Sequence, residues 1–262
     1  MTRLKRGFTL IEVSIFLALT GLLFIGVVVG VQNSVYQQQR SDSVQNFVEF
    51  LRSVYSGVEN VQNATPEGRS EQAIYGKLVT FGEAYDLAGE ATDKKKIFVY
   101  TVVGNVGNGS DSTLTLLSKL KANVVTTDGN LAGYPETYSP KWGAVIEKAG
   151  GLQNVTPLSA ALLVVRNPDS GVVYTFYRSS TIEVNQTRKT SWGTNNPFSS
   201  ALTDGSFKLV GTGELANGVD FCVNPTAANM ATNRTDIRVT GARNASGIMQ
   251  MAETEANCGA TR

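Results

Sequence analysis

Histidine is absent from the 262 residues. That removes the commonest general base, the Ser-His and Cys-His nucleophile pairs and most zinc sites. Carboxylates and lysines can still move protons, so the gap argues against catalysis without excluding it. Cysteine is scarce too. Cys222 and Cys258 are the only two, too few for an iron–sulfur cluster or a cysteine-rich zinc module. Charged residues make up 17% and the net charge is +1, which gives no global pull toward nucleic acid or anionic lipid. The seven prolines begin only at Pro66. No phosphate-binding glycine loop, nucleophile elbow or metal-ligand cluster is visible, so no cofactor, metal or catalytic residue is expected. With 42% hydrophobic residues the chain is not disordered. Its length is large for one domain on a prior of about 100–200 residues.

What is present begins at the amino terminus. A basic leader, MTRLKRG, carries Arg3, Lys5 and Arg6. The run FTLIEVSIFLALTGLLFIGVVVGV follows, Phe8 to Val31, uncharged from Val13 onward. About 19 residues at 1.5 Å each reach roughly 28 Å, close to the hydrocarbon thickness of a bilayer. The basic residues before the run orient it positive-inside, so everything from about Gln32 onward is expected outside the cytoplasm. A cleaved secretory signal is disfavoured. Its apolar region would span about 7–15 residues and end at a small-residue cleavage site, whereas this run is longer and ends in VGVQNSVYQQQR. One residue does not suit an ordinary anchor. Glu12 sits inside the apolar block, where a carboxylate costs about 2.5–3.5 kcal/mol on insertion scales. It either snorkels from the helix end or meets a positive partner.

The string KRGFTLIEV, Lys5 to Val13, resembles the signal of type IV pilins and of the pseudopilins of secretion systems. The resemblance is strong over roughly the first 60 residues and only architectural beyond them. It implies that a prepilin peptidase cuts between Gly7 and Phe8, that Phe8 is then N-methylated, and that the Glu12 carboxylate pairs with the terminal amine of a neighbouring subunit. It also implies a pilin fold: a long helix packed on an antiparallel sheet. Many pilins have a kinking proline in the apolar helix. Here Gly21, Gly26 and Gly30 stand instead, and Gly26 to Gly30 form a G-x-x-x-G that lets apolar helices approach. Loosening or packing in a filament core and plain glycine enrichment of membrane helices both account for them.

The helix is expected to continue. Val44, Phe47, Val48, Leu51, Val54, Tyr55, Val58 and Val61 recur at steps of three and four, the apolar stripe of an amphipathic helix. Proline and glycine in NATPEGRSEQ, Asn63 to Gln72, end it. The expected organisation is a leader over residues 1–7, a helix over 8–63 with 8–31 apolar, and an α+β head over 64–262. Strands are expected at Ile97–Val103, Thr113–Leu117, Ala161–Val165, Val172–Arg178, Thr181–Gln186, Phe207–Gly211, Val219–Asn224 and Asp236–Gly241. Arg166 to Gly171, RNPDSG, reads as a hairpin turn. Tyr75 to Ala91 is read as a short helix. The stripe is expected to pack on one antiparallel sheet. An even cysteine pair in an extracytoplasmic head points to a Cys222–Cys258 disulfide, in keeping with the disulfide-bounded region of many pilins; two buried free thiols are the alternative.

Weaker signals are read conservatively. Asn108–Ser112 and Thr126–Gly129 hold oxygen ligands but match no calcium loop, and turn chemistry accounts for them. Lys94, Lys95 and Lys96, with Lys119 and Lys121, could contact phosphate, although a solvated loop is favoured and nucleic acid is a weakly supported partner. Trp142, Trp192 and Tyr134 are read as packing residues.

The resulting expectation is a structural, non-enzymatic subunit of a type IV pilus or related filament. It is made as a single-pass membrane precursor and later displayed at the cell surface. Its partners are other pilin subunits, the prepilin peptidase, an inner-membrane assembly platform and the membrane. A minor pseudopilin of a type II secretion or DNA-uptake system is one alternative. A signal-anchored surface enzyme or receptor is another.

Overall fold

Nothing in the first part of the chain breaks a helix, and from Val44 apolar residues return every three or four positions. The computed structural model places one helix there, α1, Leu10–Glu59, 50 residues long. It describes residues 9–60, 73–82, 93–104, 117, 120–123, 135–148, 157–167, 170–182, 201–202, 204–224, 235–241, 247–250 and 258. Within the chain, residues 1–42 and residues 43–262 form two units.

In the first unit every described side chain from Thr9 to Val31 is exposed. In the second, Val44, Phe47, Val48, Leu51, Val54, Tyr55 and Val58 are buried, while Glu49 and Arg52 on the opposite face are exposed. The stripe read from the sequence is thus the buried face of the helix. Helix ends differ from expectation by a few residues. Thr9 caps the start, and the helix ends at Glu59, ahead of the proline-containing segment, which lies outside the described residues.

Two antiparallel sheets complete the α+β layout, where one was expected. The first has seven strands: β1 (Ala73–Phe81), β2 (Ile97–Gly104), β3 (Leu120–Asn123), β4 (Glu136–Tyr138), β6 (Ala160–Arg166), β7 (Val173–Arg178) and β8 (Lys208–Leu209). Its order is β3-β2-β1-β6-β7-β8, with β4 sharing the β2 edge with β3. The second has four strands, β5 (Val145–Lys148), β9 (Val219–Asn224), β10 (Thr235–Val239) and β11 (Ile248–Gln250), in the order β11-β10-β9-β5.

Two sheets form because the apolar stripe of a helix is wide enough to be covered from two sides. Side chains alternate across a strand. Val79, Phe81, Ile97, Val99, Leu162 and Val164 of the first sheet therefore meet the helix. Ile146, Phe221, Val223, Ile237 and Val239 of the second sheet close the same core. Phe221 joins all three layers. Its ring lies 6.2 Å from Phe47 of the helix and 5.4 Å from Phe81 of the first sheet. The far face of the first sheet buries a second core that includes Tyr75, Leu78, Tyr100, Leu163 and Phe176.

The Ala73–Phe81 strand corrects the helix read over Tyr75 to Ala91. Its β-branched and aromatic residues suit a pleated surface, and Gly76 admits a close neighbour: a Cβ there would lie 2.0 Å from the Val164 carbonyl oxygen. A bulge beside Ile74 and Gly76 turns Tyr75 onto the far face. Of Thr113–Leu117 only Leu117 is described. It is helical rather than extended, shortly before β3 begins. Thr181 and Ile182 lie beyond the end of β7 rather than in a strand, and Glu183 to Gln186 are outside the described residues. The hairpin expected at Arg166 to Gly171 joins β6 to β7: Asn167 N–H donates to Val172 O at 2.8 Å and Gly171 takes φ +68°, while Pro168 and Asp169 lie outside the described residues.

Candidate functional site: the amino-terminal helix and the disulfide

A helix start leaves N–H groups without intrahelical partners. Here Thr9 and Glu12 answer that need reciprocally. The Glu12 N–H donates to Thr9 Oγ1 at 3.3 Å, and the Thr9 N–H donates to Glu12 Oε2 at 2.9 Å. The Thr9 hydroxyl adds a third bond, to the same Oε2, at 3.0 Å. This is a capping box, and it places a carboxylate at the positive end of the helix dipole. It went unread in the sequence, although Thr9-Leu10-Ile11-Glu12 is the T-x-x-E pattern that signals it. Among the described residues Oε1 of Glu12 accepts no bond, so one carboxylate oxygen is left for a further donor. Gly7 and Phe8, the expected cleavage and methylation positions, lie outside the described residues.

The rest of the segment also satisfies its own polar groups. Ser14 Oγ donates to Ile11 O at 2.9 Å, and Thr20 Oγ1 donates to Phe16 O at 2.9 Å. Such back-bonding leaves no hydroxyl that demands water. One helix, Leu10–Glu59, is long and apolar enough to cross a membrane. A Cβ on Gly21, Gly26 or Gly30 would meet nothing within 4 Å. These glycines therefore leave open grooves on the helix surface.

Cys222 and Cys258 are joined by a disulfide across 36 positions of sequence. Cys222 lies on β9, and the register places Glu147 of β5 and Asp236 of β10 opposite it on either side. Both carboxylates are buried, and Asn224 Nδ2 donates to Glu147 Oε1 at 3.2 Å. The disulfide thus sits on the face of the second sheet turned away from the helix, among polar groups. Farther along that face the Arg238 guanidinium holds Asp220 through two bonds, at 2.6 and 2.9 Å.

The remaining sequence signals fall in several places. Asn108–Ser112, Thr126–Gly129, Lys119, Tyr134 and Trp192 are outside the described residues. Lys94 and Lys96 are exposed beside β2. Trp142, read as a packing residue, is instead 52% exposed. It lies in a short turn with φ +57°. Among the described residues no three metal-ligating side chains cluster. No family model, curated protein or solved structure matches the chain.

Proposed function

We propose that this chain is a structural subunit of a type IV pilus or related filament, with the pilin fold. The prepilin peptidase removes residues 1–7, Phe8 is methylated, and subunits polymerise through the apolar half of α1. The observation that carries this reading is the division of one helix into two surfaces. Residues from Leu10 to Val31 leave every side chain exposed, while the apolar stripe between Val44 and Val58 is buried in a globular unit. A segment that is apolar on all sides needs lipid or other such helices.

Lipid is as apolar as leucine, so the gain on leaving it comes from close packing and from satisfied polar groups. The open surfaces of Gly21, Gly26 and Gly30 permit the first. Glu12 supplies the second. Its capping box lowers the cost of holding a carboxylate in the bilayer, and its second oxygen can accept from the freed Phe8 amine of a neighbour. The head, outside the cytoplasm, forms the filament surface. Its size favours a minor or tip subunit, or a large-headed variant, over a typical major pilin.

Mass spectrometry of sheared surface filaments tests this. The expected amino-terminal peptide starts at a methylated Phe8. Glu12→Val should still be cut but yield fewer filaments, and Gly7→Leu should remain an uncut, unassembled precursor. An exported chain that starts at Met1 and stays solitary in the membrane would end the proposal.

A further inference from the structure

Cys222 occupies the centre of a cross-strand row. On β9 it stands directly opposite Glu147 of β5 on one side and Asp236 of β10 on the other. Directly opposed residues share a face, with Cβ atoms about 4.5–5.5 Å apart. A carboxyl group therefore flanks the cysteine on either side. Glu147, Asp236, Cys222 and Cys258 are all buried, so water does little to screen one from another. Asn224 Nδ2 donates to Glu147 Oε1 at 3.2 Å, and an amide donor is neutral, so it brings no positive charge to the row.

The row beside it has the same bias. Asp220 of β9 stands opposite Arg238 of β10, and the guanidinium holds that carboxylate through two bonds, at 2.6 and 2.9 Å. Among the described residues of the four strands, this face thus carries three carboxyl groups, of Glu147, Asp220 and Asp236, and the single cation of Arg238, which Asp220 grips.

A disulfide is opened by a thiolate. The attacking sulfur bonds to one cysteine, the S–S bond breaks, and the other cysteine leaves as a thiolate that then takes a proton. Negative charge is carried by the entering and by the leaving sulfur. Attack at Cys222 brings the reagent's charge between Glu147 and Asp236. Attack at Cys258 expels Cys222 as a thiolate in that same position. A cation nearby stabilises a thiolate, and two carboxylates do the reverse. Both routes are opposed. We infer that Glu147 and Asp236 form an electrostatic guard on the Cys222–Cys258 disulfide: their charge repels anionic thiols and disfavours the departing Cys222 thiolate, so the bond, once closed, is shielded from exchange. The guard is built from the head alone and stands whether or not the chain enters a filament.

Three monothiols test it on the full chain in detergent: cysteamine, 2-mercaptoethanol and 2-mercaptoethanesulfonate, whose thiolate forms are zwitterionic, singly negative and doubly negative. Two molecules of thiol reduce one disulfide. The first forms a mixed disulfide, and the second releases it as the reagent's own disulfide. Freed cysteines are trapped with iodoacetamide and counted by mass. Expressed per thiolate, the rate should fall about tenfold at each step from zwitterion to double anion, and high salt should narrow the spread. Glu147→Gln and Asp236→Asn should each narrow it about threefold, by speeding the doubly negative reagent most. Circular dichroism checks that each variant is folded; where one is not, the order of the three reagents on the unaltered chain and its salt dependence decide. Equal rates per thiolate, or a rate that does not rise with thiol concentration, overturns the inference, because burial or unfolding alone then protects the bond. A folded variant that leaves the spread unchanged, whether it speeds all three reagents alike or none, also overturns it.

Discussion

The guanidinium of Arg166 donates a 2.7 Å hydrogen bond to the carbonyl oxygen of Glu59, the last residue of the helix, from 107 positions farther along the chain. The last turn of the helix has no basic residue of its own. Its carbonyls and its negative dipole end therefore take their partner from the β6–β7 hairpin. One side chain closes the helix and ties it to the first sheet.

Replacing Arg166 with glutamine should lower stability by about 1–2 kcal/mol, the scale of a charge-assisted hydrogen bond with some solvent access. The midpoint of denaturant unfolding in detergent measures it. An unchanged midpoint would remove Arg166 from its role as a cap.

Tyr55 shares a buried 2.7 Å hydrogen bond with Thr175 Oγ1. Burial pushes its pKa up to about 12, and the Thr175 bond offsets part of the rise. Unfolded tyrosine titrates near 10. Between about pH 10 and 12 the unfolded chain has lost a proton that the folded chain keeps, so stability falls as pH rises, by about 1.4 kcal/mol per unit at most. Burial raises Tyr138 and Tyr177 as well, which adds loss of the same sign. Tyr55→Phe should flatten part of this alkaline slope. It should also cost about 1–2 kcal/mol at neutral pH, because Thr175 loses its partner. Unfolding curves at several alkaline pH values compare the two proteins.

Gly76 has no room for a side chain: an added Cβ would meet the Val164 carbonyl at 2.0 Å and Val165 Cα at 2.7 Å. Both belong to the backbone of β6, which pairs with β1. Gly76→Ala should therefore push the central strands apart and cost about 4 kcal/mol or more. Its yield of protease-resistant folded protein should collapse. Gly205→Ala makes a useful comparison, because its Cβ would meet nothing within 4 Å although its φ of +73° still carries a strain penalty.

The Cys222–Cys258 disulfide closes a loop of 36 positions. In the chain-entropy account, losing it costs about 4 kcal/mol. Cys222→Ser, Cys258→Ser and the reduced protein should all unfold at a lower denaturant concentration, by similar amounts. Gel mobility with and without reductant reports the bond itself.

Much of this was legible along the chain because it depends on local periodicity. The exposed front and buried back of the helix follow from its apolar run and its three-and-four spacing. Strands rich in β-branched residues, such as Ile97–Gly104 and Val219–Asn224, announced themselves in the same way. The hairpin at Arg166–Gly171 followed from turn chemistry. Short strands did not. Glu136–Tyr138 and Ile248–Gln250 have three residues each, too few to show a period, and pairing alone makes them strands. Ala73–Phe81 was misread because a glycine and a lysine interrupt its pattern, and both have tertiary reasons. Gly76 makes way for β6, and Lys77 Nζ bonds Glu136 Oε1 at 3.0 Å.

By itself, then, the sequence settled which segment is apolar enough for a membrane, where the amphipathic helix follows, and that the remainder is built from strands. These are properties of neighbours in the chain. Only the tertiary structure decided that two sheets share the helix, that Arg166 finishes what the last turn lacks, and that Trp142 stands exposed in a left-handed turn. Those depend on strand register and on partners tens of residues apart, and local preference carries no information about which distant groups will meet.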